Sequence, residues 1–461
     1  MNIFNRDTGH QSYVNNAVSN TYSLEGLAPK ELYSKLKEYY ENSENIYSPA
    51  QKYAYYTNTW IEAIKPVKTV VNRSVEFYVS KIVPGDISQL RITSNNQLVK
   101  DCIAQVWKWS NFGAQKQIAI RYLALYGDLF IKVSNEQGKV FFEIIPPYNV
   151  SNFTEDSRGY ITSIRIDVPQ GNKTYTEYWN KDDGYYSIWL KENGETQELD
   201  QLGQPSDSGY IEEFGIKFIP IVHIKFRDTG EKRGKSCVYH SLSKIDEANR
   251  QATRLYQMLF RYNKALWVIS ANTMDSIGRP MPAPQIKDSD TELDMNDNNM
   301  LFMPGMSTLQ TLVPPINYAD ALNILKDTIE EIEKDLPELR YYSLQYNASM
   351  SGKAIKLLLS AAIDRAVEAQ GNFLTGLTRL DEMALTIGKY FGLFPQTIGS
   401  FDNNDFSHSI MPMEMFPIDE SDRATLLTAY VGAGMSLESA LKLVGFSEQQ
   451  VVEIVESPIV S

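Results

Sequence analysis

The residues best suited to chemistry are Gly230-Glu231-Lys232-Arg233-Gly234-Lys235-Ser236. A glycine-rich loop ending in Lys-Ser, between a strand and a helix, can wrap a phosphate in backbone N–H groups and set a lysine on its outer oxygens. Such a loop needs four residues between its glycines. Here there are three, and no apolar strand ending in a magnesium-holding Asp follows. The sequence reads instead as a turn with Gly234 near a helix N-terminus. Asp288-x-Asp290-x-Glu292-x-Asp294 resembles a calcium loop, yet its sixth position is Leu293 and its twelfth is Asn299, so an acidic surface loop fits better. His223 alternates within an apolar strand and reads as a hydrogen-bonded core or edge histidine. Cys102 precedes an apolar helix face and reads as packing. No nucleophile elbow, zinc spacing or paired-carboxylate signature is present, so no catalytic residue, cofactor or metal is expected.

The elements around these residues follow from periodicity. Ile61, Ile64, Val67, Val71, Val75 and Tyr78 recur at three and four residues, which predicts a helix over Trp60–Ile82 that ends at Pro84-Gly85. Gln97–Trp109 and Gly113–Tyr126 read as two more, the second stopped by Gly127. From 128 to 227 the pattern alternates in the β manner, with a hairpin signal at Asn135–Gly138 and a last strand at Val222–Phe226. A helix is predicted over about Lys235–Lys264, with Leu242, Ile245, Asn249, Ala252, Tyr256 and Leu259 in heptad-like steps. Short strands with Pro-rich and acidic turns occupy 265–316. A second heptad-like helix covers Tyr318–Glu338 through Leu322, Leu325, Ile329, Ile332 and Leu336. A Tyr-, Ser- and Gly-rich loop, 339–352, precedes one long helix from Lys353 to about Phe391, which Gly371 and Gly376 are placed to bend. Residues 419–456 read as two or three short helices with Asp419 and Ser436 as N-caps.

Charge sorts the two heptad-like helices. The first carries Lys244, Arg250, Arg254, Arg261 and Lys264; the second carries Asp320, Asp327, Glu330, Glu331, Glu333, Asp335 and Glu338. Side by side, within a chain or between copies, their polar edges attract, and such pairs set register more than stability. The chain of 461 residues has a net charge of −13, which excludes a generally basic nucleic-acid coat. No run approaches the roughly 18 apolar residues of a membrane span, and the start lacks a secretion-signal pattern. With two cysteines, a reduced cytosolic setting is expected.

The order of helix, small insertion, helix, loop and long helix resembles the portal proteins of tailed bacteriophages. Tyr126–Val133 is similar to the family's step into its β-region, and Ile144-Ile145-Pro146-Pro147-Tyr148-Asn149-Val150 to the turn that follows. Ile219–Val222 followed by Arg233-Gly234-Lys235-Ser236 resembles the passage into the first stem helix. Met350-Ser351-Gly352-Lys353-Ala354-Ile355-Lys356 resembles the opening of the helix after the tunnel loop, and AYVGAGMSLESALKLVGF the helical end of these chains. The similarity spans about residues 55–455.

This resemblance implies an α+β fold: an α/β wing with a β-rich module at 1–234, joined by the long helix and its sequel at 353–415. It also implies stem helices at 235–264 and 317–338, a clip at 265–316, a tunnel loop at 339–352 and a short helical crown at 416–461. It implies a non-enzymatic ring of about twelve copies at one capsid vertex of the virion, assembled in the bacterial cytoplasm. The implied partners are double-stranded DNA in the channel, terminase, the major capsid protein and a head–tail adaptor, with no membrane. Arg340, Tyr341, Tyr342, Gln345, Tyr346 and Lys353 would then face the channel. Arg250, Arg254, Arg261, Leu325, Ile329, Glu330, Ile332 and Glu333 would form the stem interface, and Arg279, Lys287 and Asp288 the docking surface of the clip. A helical scaffold or adaptor, and a nucleotide-dependent enzyme resting on Gly230–Ser236, remain open at this point.

Overall fold

The computed structural model describes residues 28–41, 70–85, 87, 90–192, 197–262, 266–272, 277–279, 300–301, 306–312, 318–344, 352–416, 420–446, 451 and 454–455. The fold mixes helix and sheet. Its helices are α1 (Pro29–Glu41), α2 (Val70–Lys81), α3 (Gln97–Trp109), α4 (Phe112–Tyr126), α5 (Leu242–Tyr262), α6 (Tyr318–Asp335), α7 (Leu339–Leu344), α8 (Gly352–Leu358), α9 (Ser360–Tyr390), α10 (Glu420–Gly432) and α11 (Leu437–Val444). Its strands are β1 (Ile92–Thr93), β2 (Asp128–Glu136), β3 (Lys139–Ile145), β4 (Val150–Glu155), β5 (Ile161–Gln170), β6 (Lys173–Asn180), β7 (Tyr185–Glu192), β8 (Asp207–Tyr210), β9 (Ile221–Lys225), β10 (Leu266–Asn272), β11 (Met300–Leu301), β12 (Met306–Leu312) and β13 (Ser409–Ile410).

The chain divides into two compact units. The larger takes in Thr69–His240 and Leu336–Ser461 with α1, and the other contains Ser241–Asp335. In the larger unit, α4 ends where Gly127 turns left-handed at φ 83°, and β2 starts at the next residue. A side chain on Gly127 would come within 2.5 Å of the Lys235 backbone, and one on Gly234 within 2.2 Å of the Gly127 carbonyl. Two glycines therefore let two backbones touch at the root of the sheet. β2 lies between β3 and β9, all antiparallel. The β2–β3 hairpin closes at Gln137-Gly138, both at positive φ, and pairs Glu136 with Lys139. That is the turn whose twist suits two antiparallel strands. A second sheet runs β4-β5-β6-β7-β8 as an antiparallel meander.

Helix α9 packs on the first sheet, and at Gly376 a Cβ would lie 2.3 Å from Ile224. Its buried face includes Ala362, Ala366, Phe373, Leu377, Leu380 and Ala384, at helical spacing, and Phe373 stacks over Phe112 of α4 at 6.5 Å. β1 and β13 join residues far apart in sequence, pairing Ile92 with Ile410. The smaller unit packs α5 along α6 and holds a three-stranded sheet in the order β11-β10-β12.

Several expected boundaries move. The first heptad-like helix starts at Leu242, not Lys235, after a 3-10 turn at Tyr239–Ser241. The preceding backbone bonds elsewhere: Lys235 N donates to Arg227 O and Cys237 N to Ala124 O. Residues 211–214 form a 3-10 turn rather than strand, so only the end of that β-like run enters the sheet. The long helix is interrupted at Leu359, which separates α8 from α9; Gly371 and Gly376 both lie within the continuous α9. Leu339–Leu344, expected as loop, is the helix α7. The helix expected from Trp60 is described from Val70; Trp60–Thr69 lie outside the described residues, as does Asp419. Ser436 caps α11 as expected, accepting from Ser439 N.

Candidate functional site

At Gly230–Ser236 the groups that would hold a phosphate already have carboxylate partners. Gly230 N donates to Asp228 Oδ1 at 2.9 Å and Gly234 N to Asp128 Oδ1 at 2.7 Å. Lys235 Nζ is 2.7 Å from Glu231. The chain's own acids fill the role of the anion, and the loop closes a turn instead of opening a site.

Asp128 leads into a buried ionic cluster. His223 lies between two carboxylates, with Nε2 2.7 Å from Asp128 Oδ1 and Nδ1 2.7 Å from Glu155 Oε1. Its ring stacks on Phe130 at 4.4 Å. Burial pushes the imidazole pKa down, but the hydrogen bonds to Asp128 and Glu155 outweigh this and hold it above the ordinary histidine value. Both ring nitrogens meet carboxylate oxygens, an arrangement that favours the protonated ring. Tyr33 of α1 donates to Asp128 Oδ2, and Arg233 Nη1 donates to Tyr33 OH at 2.7 Å. Burial and Asp128 raise the Tyr33 pKa far above the phenol range, so Tyr33 stays a donor. The cluster ties α1, β2, β4, β9 and the Arg233-Gly234 turn together. With the side chains of His223 and Asp128 wholly buried, the centre of the cluster is closed to solvent, and it acts as a tie. The expected core histidine is present. Its second carboxylate partner, Glu155, had no signal in the sequence, since the two residues meet only through β4 packing near β9.

In the smaller unit the basic and acidic helices pair within one chain. Lys244 Nζ lies 2.7 Å from Asp335 and 3.7 Å from Glu331, and Thr328 donates to Gln251. Leu325 and Ile332 are buried along α6, as are Leu242, Ile245, Ala248 and Ala252 of α5. Ile329 is half-buried, whereas Glu330 and Glu333 are exposed. Arg250, Arg254 and Arg261 lie on α5. Leu322 and Ile324 of α6 stay exposed.

The residues expected to face a channel divide. Arg340, Tyr341 and Tyr342 lie on α7. Tyr341 packs edge-on against Phe77 at 5.6 Å, with Phe416 and the Lys81 ammonium nearby, and Tyr342 OH donates to Arg73 O at 2.8 Å. Both tyrosines therefore bind α2 of their own chain. Arg340 is exposed. Lys353 is the second residue of α8, and Gln345 and Tyr346 lie outside the described residues. Of the residues expected on a clip, Arg279 is exposed, and Lys287 and Asp288 lie outside the described residues. Among the described residues no cluster of His, Cys, Asp and Glu could hold a metal ion, and no helix is long and apolar enough to cross a membrane.

The sequence matches the family described as phage portal protein, SPP1 Gp6-like, over residues 27–456. The chain belongs to this portal family. The match takes in α1 as well, so it begins earlier than the motifs alone reach. No curated protein matches the chain. Among solved structures, chains of gene transfer agent (GTA) particles are similar to it. One, from a native GTA virion, has 13% identity and a TM-score of 0.46, and the alignment covers 95% of this chain and 99% of that one. Two others, from the neck of an empty GTA particle with C6 symmetry and of a native one with C12 symmetry, have 14% and 13% identity and TM-scores of 0.45 and 0.43, each covering 82% of this chain and 90% of the other.

Proposed function

We propose that this portal chain forms a closed ring of about twelve copies at one capsid vertex, through which double-stranded DNA passes during packaging and ejection. The observation that carries the reading is the family match over residues 27–456. In this reading the ring docks terminase during packaging and a head–tail adaptor afterwards, contacts the major capsid protein, and becomes part of the virion after assembly in the host cytoplasm.

The parts are assigned as follows. Residues 1–234 and 353–415 are the wing, 265–316 the clip and 416–461 the crown. The stem consists of α5 and α6, and the tunnel segment is 339–352. The charges support the assignment. The exposed acids of α6 and the net charge of −13 suit a conduit that repels phosphate along most of its wall. Arg340 and Lys353 bracket the segment where local attraction to phosphate is needed. Exposed Leu322 and Ile324 supply apolar surface for a neighbouring copy, as a closing ring requires.

The test is negative-stain electron microscopy with solution mass, on the chain alone and co-expressed with its capsid proteins. Rings with an axial hole wide enough for a duplex are expected. A chain that stays monomeric in both settings overturns the proposal.

A further inference from the structure

Glu338 is a carboxylate with no exposed surface, three residues beyond the end of α6 and next to the start of α7. Burying a charge there is costly unless donors meet it. Two do, from successive turns of α2: Ser74 Oγ donates to Oε1, and Tyr78 OH donates to Oε2 at 3.2 Å. Ser74 and Tyr78 sit four residues apart, so they share one face of α2. Both are fully buried. Burial holds the carboxyl pKa above its ordinary value, although Ser74, the Arg365 guanidinium and Tyr78 oppose that. An apolar residue at 338 would fill the same volume but strand two buried hydroxyls.

The contacts of α7 use the adjoining face of α2. Tyr341 meets Phe77, and Tyr342 reaches the Arg73 carbonyl. The first backbone bonds of α7 are local: Leu339 N to Leu336 O and Tyr341 N to Glu338 O. Helix α7 can thus form without the carboxylate, and what Glu338 adds is a tie between the start of α7 and α2. Tyr341 and Tyr342 are only half-buried and make contacts that tolerate sliding. The carboxylate between two hydroxyls does not.

We propose that Glu338 is a positioning residue, which pins 339–344 to α2 and so sets where Arg340 is presented. The consequence for DNA rests on the reading of 339–352 as the channel-facing segment, whereas the pinning itself does not.

The experiment compares the wild type, Glu338→Gln, Ser74→Ala and Tyr342→Phe. It measures amide exchange across α7 and α9, ring formation, and DNA packaged per particle when each variant replaces the wild-type chain. In Glu338→Gln, exchange at Tyr341 and Tyr342 should speed up by about tenfold or more while α9 is unchanged. Rings should still form, and packaged DNA should fall. Ser74→Ala keeps the carboxylate and should give a smaller version of the same change; it carries the test if Glu338→Gln does not assemble. Tyr342→Phe should give the smallest. Exchange in α7 that matches the wild type in both Glu338→Gln and Ser74→Ala overturns the proposal, as does loss of protection spread equally over α9. Faster exchange in α7 with normal packaging leaves the pin in place and overturns its effect on DNA. Failure of the wild type itself to form rings would count against the portal reading and not against the pin.

Discussion

The chain pairs opposite charges in two very different settings. Between α5 and α6, Lys244 meets Asp335 and Glu331 with side chains 39%, 33% and 62% exposed. At the root of the β2–β9 sheet, His223 meets Asp128 with both side chains at 0% exposure. Water screens the first pair, so it contributes little and serves to set register. The second has lost its water, so each member depends on the others, and removing one strands the rest. The difference teaches where a change of charge unravels the fold and where it only tunes an edge.

The largest effect should come from Asp128→Ala. It strands the His223 ring, the Tyr33 hydroxyl and the Gly234 N–H together, and a loss of about 3–5 kcal/mol is expected. Urea unfolding followed by tryptophan fluorescence would show it; a midpoint equal to the wild type's would mean the cluster is not held as described.

Next comes the helix seam. Leu325→Asp places a charge in a buried position of α6, and a loss of about 3 kcal/mol with no ring formation is expected. Ile329→Asp should cost less because Ile329 is half-buried, though it too should block assembly. Size-exclusion mass and microscopy would decide, and normal rings from both variants would sink the stem assignment.

A sharper form of the comparison uses pH. The folded pKa of His223 is raised, so its contribution is whole below the ordinary value of about 6.5 and is lost as pH rises through the higher folded value. The stability difference between the wild type and His223→Gln should therefore shrink as pH climbs above neutrality. Unfolding midpoints of both proteins across that range would test this. A difference that grows with pH would show a neutral ring in the folded state.

The same contrast explains what could be read from the chain. Gln97–Trp109 emerged with both ends in place because its cap Asn96, its apolar spacing and its boundary are all local. The Gly127 stop and the Ser436 cap were legible for that reason, and so was the attraction between a basic and an acidic helix. Glu338 was not. In sequence it continues an acidic run, and only its meeting with Ser74, 264 positions away, shows that it points inward. His223 and Glu155 are 68 positions apart and belong to different sheets. The start of α5 was misplaced because heptad spacing cannot register that Cys237 N bonds to Ala124 O. The helical state of Arg340, Tyr341 and Tyr342 is not legible because a helix this short is marginal alone and is held by long-range contacts with α2, among them those of Glu338.

The smallest expected effect returns to the exposed pair. Lys244→Ala removes an ammonium that lies within reach of two carboxylates, yet it should cost less than about 1 kcal/mol. That small loss should shrink further in about 1 M salt, where screening acts within roughly 3 Å. The loss caused by Asp128→Ala should not, because its partners are shielded from ions. If Lys244→Ala proved as damaging as Asp128→Ala and equally deaf to salt, the pair would be desolvated in the working assembly. A neighbouring copy would then have to cover the α5–α6 edge, and register would no longer be all that Lys244 supplies.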